Sequence, residues 1–210
     1  MAGHPFAAAA QLGVATDEVR RSRFALPLAF AAERRYVGRT RDCCESGPMS
    51  DTDPYWKLRP APPTPADELC SCAELQCVLL RAAFAKNPLA CAQCNLEVLP
   101  ERLALPAQLA DDLATWRSFH NCFYLLWLDS GEFEAWARAQ LSDSQSPVNL
   151  RGRSVRAELD LVRRAYYWWF QDTGAEDFVP LTSCPICSAP LADTGLVGTV
   201  CETCSVMVAN

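Results

Sequence analysis

The stretch CPICSAPLADTGLVGTVCETC, residues 184–204, decides the architecture of the C-terminal part of the chain. It holds two C-x-x-C pairs, Cys184 with Cys187 and Cys201 with Cys204. A gap of two residues lets both thiolates of a pair face one ion, and four thiolates leave no open coordination position on a tetrahedral metal. The spacing therefore predicts a structural zinc site that stabilises its own segment and performs no chemistry.

The spacer between the two pairs is long enough for a β-hairpin, with Asp193-Thr194-Gly195 as its turn. Val206–Val208 can add a third strand. Ser188 and Ser205 follow the second cysteine of each pair, where metal knuckles usually carry glycine because φ is positive. The alternative for these pairs is a dithiol redox centre, although a thioredoxin-type centre needs only one C-x-x-C.

A second group of cysteines lies further upstream. Cys70 and Cys72 precede an apolar segment, and Cys91 and Cys94 follow it, so the four can meet if the chain folds back. The other reading makes Cys70, Cys72 and Cys77 small core residues, since free cysteine is often buried. We therefore expect one zinc ion, and a second if these two pairs come together.

Composition sets the broad class of the protein. The chain has 210 residues, a net charge of −6 and 50% hydrophobic residues, and no stretch approaches the roughly 20 apolar residues of a membrane helix. The acidic balance disfavours broad charge-driven binding to nucleic acid. Repeated C-x-x-C spacing among 12 cysteines favours reduced metal ligands over disulfides, and hence a cytoplasmic protein without membrane association.

Three regions are expected. Residues 1–48, rich in Ala and Arg, predict a disordered extension, because Met49 opens a segment that resembles a protein start. Residues 49–180 predict a helical domain with a Pro-rich lead-in, and 181–210 the zinc ribbon. The expected fold class is a mainly α-helical domain with a small C-terminal β zinc ribbon, α+β overall.

Apolar periodicity predicts four helices in the middle region. The almost continuous apolar segment from Ala73 to Lys86 predicts a buried helix. One apolar face from Leu109 to Trp127 predicts a helix of about five turns. The next helix should bury Phe133, Trp136 and Ala137, and the last should carry an apolar stripe from Val155 to Phe170.

Few residues offer catalytic chemistry. His120 is the only histidine outside the extension and falls on an apolar helix face, where a core role is expected. Cys122 lies in the same helix and is also expected in the core. Without a second histidine, a phosphate-binding glycine loop or a nucleophile elbow, the sequence predicts a protein that is not an enzyme.

The last of the four predicted helices carries the densest basic group. The arginine surface, as we call it, comprises Arg153, Arg156, Arg163 and Arg164, with Tyr167 and Trp168 as candidate stacking partners for bases. The alternative is a solvated helix face that Asp160 partly neutralises, which is the usual role of charge runs.

Three sequence features together resemble a family of uncharacterised bacterial zinc-ribbon proteins with a suggested nucleic-acid-binding role. They are Leu126-Trp127-Leu128-Asp129-Ser130-Gly131-Glu132 with Trp136, the run Tyr166-Tyr167-Trp168-Trp169-Phe170, and the two C-terminal C-x-x-C pairs. The resemblance covers about residues 50–210. It implies zinc at the four C-terminal cysteines and nucleic acid as a tentative partner.

These observations leave three functions open. The first is a non-enzymatic zinc protein that binds a macromolecule, with nucleic acid at the arginine surface. The second is a protein–protein adaptor, favoured by the acidic charge. The third is a thiol-based redox or zinc-sensing protein.

Overall fold

The described residues form a six-stranded mixed sheet and three α-helices. The computed structural model describes residues 53–82, 85–176 and 178–209, so the predicted extension over 1–48 lies outside the described residues. The strands are β1 (Val78–Leu80), β2 (Leu89–Cys91), β3 (Ala165–Trp168), β4 (Ala192–Asp193), β5 (Gly198–Cys201) and β6 (Val206–Ala209). The helices are α1 (Ala107–Asp129), α2 (Glu134–Ser142) and α3 (Pro147–Val162), with 3₁₀ turns at Trp56–Leu58, Ala66–Glu68 and Pro100–Leu103.

The strand order β2-β1-β3-β6-β5-β4 joins both ends of the described chain in one sheet. Strand β3 lies in the middle, parallel to both β1 and β6, and the two outer pairs are antiparallel hairpins. The prediction of a mainly helical domain with a small ribbon is therefore wrong. The predicted C-terminal hairpin and third strand are present, but they continue a sheet that begins at residue 78.

The first error concerns the apolar segment from Ala73 to Lys86, which was predicted to be a buried helix and instead contains strand β1 at Val78–Leu80. All three residues of β1 are fully buried. Val78 and Leu80 face the core under the helices, and Leu79 faces a second cluster on the other side of the sheet. A strand buried on both faces reads as a continuous apolar run, which periodicity cannot distinguish from a buried helix.

The second error concerns the end of the third helix, which stops at Val162 before the aromatic run. The Asp160 carboxylate accepts a hydrogen bond from the backbone N–H of Ala165, at 2.7 Å, and the chain becomes extended at Arg163. Strand β3 follows, with Tyr167 opposite Leu80 on one side and opposite Val206 on the other. Aromatic residues favour strands, and long-range pairing on both sides overrides the local helical pattern.

Helices α1 and α3 pack on one face of the sheet. The predicted helix around Leu109–Trp127 is α1, and the indole of Trp116 is fully buried under it. Gly152 of α3 sits so close to the Tyr167 ring and to Trp116 Nε1 that a Cβ built there would lie 2.7 Å from that nitrogen. Glycine is therefore required at this contact between helix and sheet.

Helix α2 and the residue before it bury fewer aromatic side chains than predicted. Ala137 is fully buried as predicted, but Phe133 and Trp136 are 53% and 51% exposed. The predicted burial of these two side chains is wrong, because α2 covers only the end of α1 and leaves its own outer side open. Among the described helices, none has the length and apolar character that a membrane crossing requires.

Candidate metal centres

The C-terminal site comprises Cys184, Cys187, Cys201 and Cys204, the four predicted zinc ligands. Their sulfur atoms all lie within 4.8 Å of one another. The sulfurs of Cys187 and Cys201 are 3.6 Å apart. Zn–S bonds of about 2.3 Å in a tetrahedron place sulfurs about 3.8 Å apart, so this spacing suits a tetrahedral ion.

The turn that follows Cys184 has the form of a metal knuckle. The backbone N–H of Ser188 donates to the Cys184 carbonyl at 2.9 Å, and the Cys184 N–H donates to the Ala189 carbonyl at 2.8 Å. Ile186 N–H points at the Cys184 sulfur, 3.4 Å away. Ser188 has φ +61° and Ser205 has φ +51°, so serine occupies the positive-φ position expected for glycine. An N–H directed at sulfur stabilises a thiolate.

The N-terminal site comprises Cys70, Cys72, Cys91 and Cys94, which the sequence left open as ligands. The structure brings their sulfur atoms within 4.8 Å of one another, as in the C-terminal site. Cys77 is not part of this group and is 6% exposed in the second core cluster. Two four-cysteine groups that could hold metal ions are thus present among the described residues.

The knuckle of the N-terminal site repeats the hydrogen bonds of the C-terminal one. Asn95 N–H donates to the Cys91 carbonyl and Cys91 N–H to the Leu96 carbonyl, each at 2.9 Å. Gln93 N–H lies 3.4 Å from the Cys91 sulfur. Asn95, directly after Cys94, has φ +62°. The equivalent turn in a different sequence indicates that the same constraint, sulfur atoms directed at one point, shapes both segments.

The C-x-C arm of the N-terminal site is held by residues that the sequence did not single out. Arg102 donates through Nη1 to the Cys70 carbonyl at 2.7 Å and through Nη2 to the Cys72 carbonyl at 2.6 Å. Cys70 N–H donates to the Glu97 carbonyl at 2.8 Å. A single guanidinium therefore fixes both peptide groups of this arm and places a positive charge beside the thiolates. No sequence pattern pointed to Arg102, because it lies 30 residues or more from its acceptors.

The two sites share a topology. In each, two cysteines precede a β-hairpin and the third cysteine ends its second strand, β2 for Cys91 and β5 for Cys201. The fourth cysteine closes the following turn. The sheet thus has a cysteine site on the hairpin at each of its edges. The sequence does not show that the two sites are alike, because the first pair of the N-terminal site has C-x-C spacing and its hairpin is apolar.

Within each group the thiols share hydrogen bonds, and their pKa values diverge. Burial raises the pKa of Cys70, but hydrogen bonds from the Cys72 backbone and neighbouring thiols outweigh burial and bring the pKa to about 7. Burial raises the pKa of Cys94 to about 12. A backbone N–H and neighbouring thiols lower the pKa of Cys187 to about 7, while burial raises that of Cys204. Metal binding must therefore displace protons from each group.

The arginine surface is largely engaged in internal contacts. The carboxylate of Asp160 lies 3.5 Å from Arg156 and 3.3 Å from Arg164. Arg164 also contacts Glu202 at 2.7 Å, and Arg153 donates to the Ser144 carbonyl. This pairing follows the alternative in which Asp160 neutralises the charges.

The two candidate stacking residues are also constrained. Tyr167 is 1% exposed and donates its hydroxyl hydrogen to Asn149 Oδ1, so its ring offers no surface to a base. Trp168 is half-buried and pairs with Met207 of β6. Arg163 is exposed. Nucleic-acid contact at this surface stays a prediction that rests on fewer residues than the sequence indicated.

His120 and Cys122, which were both predicted to lie in the core, differ in burial. His120 is 5% exposed and packs edge-on against Trp116, as expected for a core histidine. Burial lowers its pKa to about 4, so the ring is neutral in the folded protein. Cys122 is exposed, with its thiol directed at the Ser118 carbonyl, so the prediction of a core cysteine is wrong.

The donor set of both sites fits zinc. Four thiolates with tetrahedral spacing suit Zn²⁺ or a single iron, and they leave no position for water or substrate. A bound ion would link the segment before its hairpin to the end of the hairpin's second strand. Comparisons of the chain with protein-family models, with curated proteins and with solved structures find no match, so the resemblance to bacterial zinc-ribbon proteins stays a prediction.

Proposed function

We propose that this protein is a non-enzymatic scaffold in which two structural zinc ions, one in each cysteine site, stabilise a sheet that presents a binding surface to a protein partner. The observation that carries the zinc proposal is the pair of four-cysteine groups with matching knuckles. Closed thiolate sites are structural, because catalysis needs an open coordination position.

The strands themselves support a structural role for the ions. They contain two to four residues each, which is short for an independently stable sheet. Each β-hairpin at a sheet edge is hydrogen-bonded to the rest of the sheet through only one of its two strands. Zinc would tie each hairpin to the segment that carries the first two cysteines of its site. Zinc binding free energy then contributes directly to folding.

The structural role is tested by removing the metal from the intact chain. We expect a high-affinity chelator to abolish near-ultraviolet circular dichroism and shift tryptophan emission to the red, and re-addition of zinc to restore both. The control is the same treatment with a calcium-selective chelator. A protein that loses its metal and keeps its tertiary signals would contradict a structural role.

A protein partner is favoured by an apolar surface at the junction of α1 and α2, where these two helices form a helical hairpin. We call it the hairpin tip and define it as residues 125–136. Leu125, Leu128, Phe133 and Trp136 are 54%, 48%, 53% and 51% exposed. Phe123 stacks on Trp136 with ring centroids 5.5 Å apart, so the aromatic side chain is held in place on the surface. Ordered, exposed aromatic residues are typical of protein interfaces.

The charges of the hairpin tip also favour a protein partner. Asp129, Glu132 and Glu134 lie in or beside it, with no Lys or Arg between residues 125 and 136. An apolar surface with acidic neighbours repels phosphate groups and suits a protein with basic residues around an apolar patch. This favours the adaptor reading over nucleic-acid binding at the tip.

The adaptor role is tested by affinity purification from the cells that produce the protein. We expect at least one partner to be retained by the wild type and lost with Phe133→Ser/Trp136→Ser. Leu161→Ser is the matched control, since Leu161 is 88% exposed on α3 and outside the tip. Retention of every partner by the double variant would contradict the proposal.

A redox or zinc-sensing role has one observation in its favour. Cys187 is the exposed ligand of the C-terminal site, whereas Cys184 and Cys201 are buried. An accessible thiolate is the first to be oxidised. Reversible release of one zinc ion by low hydrogen peroxide, abolished by reductant, would support this role, and full retention of zinc would exclude it.

A further inference from the structure

A groove that no cysteine site touches lies between the first 3₁₀ turn and α1. It is a shallow groove of about 380 Å³, largely open to solvent, and it is lined by Trp56, Lys57, Lys86, Ala114, Thr115, Arg117 and Ser118. We call it the lysine groove. Its volume falls within the range of small-ligand sites, and the small residues of α1 leave one wall flat.

In the groove, the only two lysines of the chain lie over the same aromatic ring. The ammonium nitrogens of Lys57 and Lys86 lie 5.6 and 5.9 Å from the centroid of the Trp56 ring. The indole is 45% exposed, an unusual position for a large aromatic side chain. The ring quadrupole attracts both ammonium groups, so two positive charges lie beside one exposed aromatic face.

The charge of the groove is not balanced from within. Asp111 pairs with Lys57 at 2.7 Å. Within residues 53–82, 85–176 and 178–209, no carboxylate pairs with Lys86 or Arg117. Arg117 uses Nε on the Ala85 carbonyl at 3.1 Å. In the described part of the chain, one acid therefore faces three cations, in a protein whose net charge is −6.

The remaining polar groups of the wall are already committed. The Thr115 hydroxyl donates to the Asp111 carbonyl and the Ser118 hydroxyl to the Ala114 carbonyl, both within α1. Among the described side chains of the wall, the hydrogen-bond donors left for a ligand are thus the cations and the Trp56 indole N–H, beside an exposed aromatic face. A phosphate next to a planar ring matches this combination.

We propose that the lysine groove binds a nucleotide unit, either free or within a single-stranded nucleic acid. Lys86 moves off the Trp56 ring to contact the phosphate together with Arg117, and the base stacks on the part of the exposed ring that Lys86 leaves. Lys57 is held at the ring by Asp111. The arginine surface lacks this arrangement, because Arg156 and Arg164 are paired with Asp160 and Glu202 and the Tyr167 ring is buried.

The proposal is independent of the zinc and adaptor proposals. The groove is formed by the turn at Trp56–Leu58, residues around Lys86 and the middle of α1, and none of its lining residues belongs to a cysteine site or to the hairpin tip. Failure of either proposal therefore leaves the other testable.

The test uses the full-length, metal-loaded chain at about 50 mM salt, where phosphate contacts are strong. Binding of a fluorescein-labelled oligo(dT) of about ten nucleotides is followed by anisotropy, and binding of AMP by calorimetry. Binding of the oligonucleotide alone assigns the groove to single strands, and binding of AMP assigns it to free nucleotides. Absence of both up to millimolar concentration overturns the proposal.

Matched variants locate the site. We expect Trp56→Leu to weaken binding about fivefold or more and Trp56→Phe to restore most of it. Lys86→Gln should weaken binding and lower the salt slope by about 0.7, the value for one lost single-strand phosphate contact. Arg151→Gln removes the same charge at an exposed position of α3 that does not line the groove, and it should leave affinity unchanged. An equal loss with Arg151→Gln, or no loss with Trp56→Leu and Lys86→Gln in variants that retain wild-type metal content, overturns the proposal.

Discussion

Replacing Gly152 by alanine tests the contact between α3 and the central strand. This contact exists only if residues 165–168 form a strand under the helix, which is the main departure from the sequence-based fold. The added methyl group would meet the Tyr167 ring and lie 2.7 Å from Trp116 Nε1. Both contacts are with atoms of buried rings and not with the flexible end of a surface side chain. Helix α3 itself must therefore move to relieve the clash.

The expected magnitude follows from two opposing effects. Alanine favours a helix over glycine by about 1 kcal/mol. Overpacking a core position costs about 1–3 kcal/mol. The upper part of that range applies, because Tyr167 is fixed by its hydrogen bond to Asn149 at 2.8 Å and Trp116 by a bond to the Val148 carbonyl at 3.3 Å. We expect Gly152→Ala to lower the free energy of unfolding by about 1–2 kcal/mol.

The assay is urea unfolding of the zinc-saturated protein, followed by tryptophan emission and far-ultraviolet circular dichroism. A lower midpoint with an unchanged slope would report lost stability without a change in the folded state. Ser154→Ala is the control, since Ser154 is exposed on the same helix and gains only helix propensity, about 0.5 kcal/mol or less. A Gly152→Ala protein as stable as the wild type, or more stable, would refute the packing of α3 on β3.

Three further predictions concern the cysteine sites and the buried histidine. Cys94→Ser should lower zinc content by one ion per chain by elemental analysis, whereas Cys77→Ser should leave it unchanged because Cys77 lies outside both sites. Arg102→Met should weaken zinc at the N-terminal site about tenfold or more in competition with a chromophoric chelator, because the carbonyls of the C-x-C arm lose their donor, and Arg138→Met on α2 should not. His120 is neutral when folded, with its pKa lowered to about 4, but takes up a proton near 6.5 when unfolded, so its contribution to stability is complete above pH 6.5 and declines as the pH falls towards 4. Between pH 7 and pH 5 the wild type should lose about 2 kcal/mol more than His120→Phe in urea unfolding, and equal losses would contradict burial of the neutral ring.

The candidate metal ligands could be predicted because their signal is local. The C-x-x-C spacing fixes how two sulfurs face one ion, whatever the rest of the fold, and it identified the C-terminal group directly. The N-terminal group was only an open alternative, since Cys70 and Cys72 depend on a hairpin that brings them to Cys91. That hairpin lay inside an apolar run with no strand signature of its own.

The sheet could not be predicted because its strands take their identity from distant partners. Tyr167 lies between residues 80 and 206, and nothing in its neighbourhood separates a strand from the last turn of α3. Helix α1, by contrast, shows its apolar face within its own sequence and was predicted correctly. The lysine groove was missed for the same reason as the sheet, since residues 56, 57, 86 and 117 meet only in the folded chain.

The central claim is that both cysteine groups hold zinc, and a metal count tests it most directly. The full-length protein, purified without added metal, would be weighed by native and by denaturing mass spectrometry. We predict two zinc ions per chain in the native spectrum and a denatured mass with all cysteines reduced. One zinc ion would restrict the metal to a single site, and a metal-free chain whose mass shows disulfides would contradict the account.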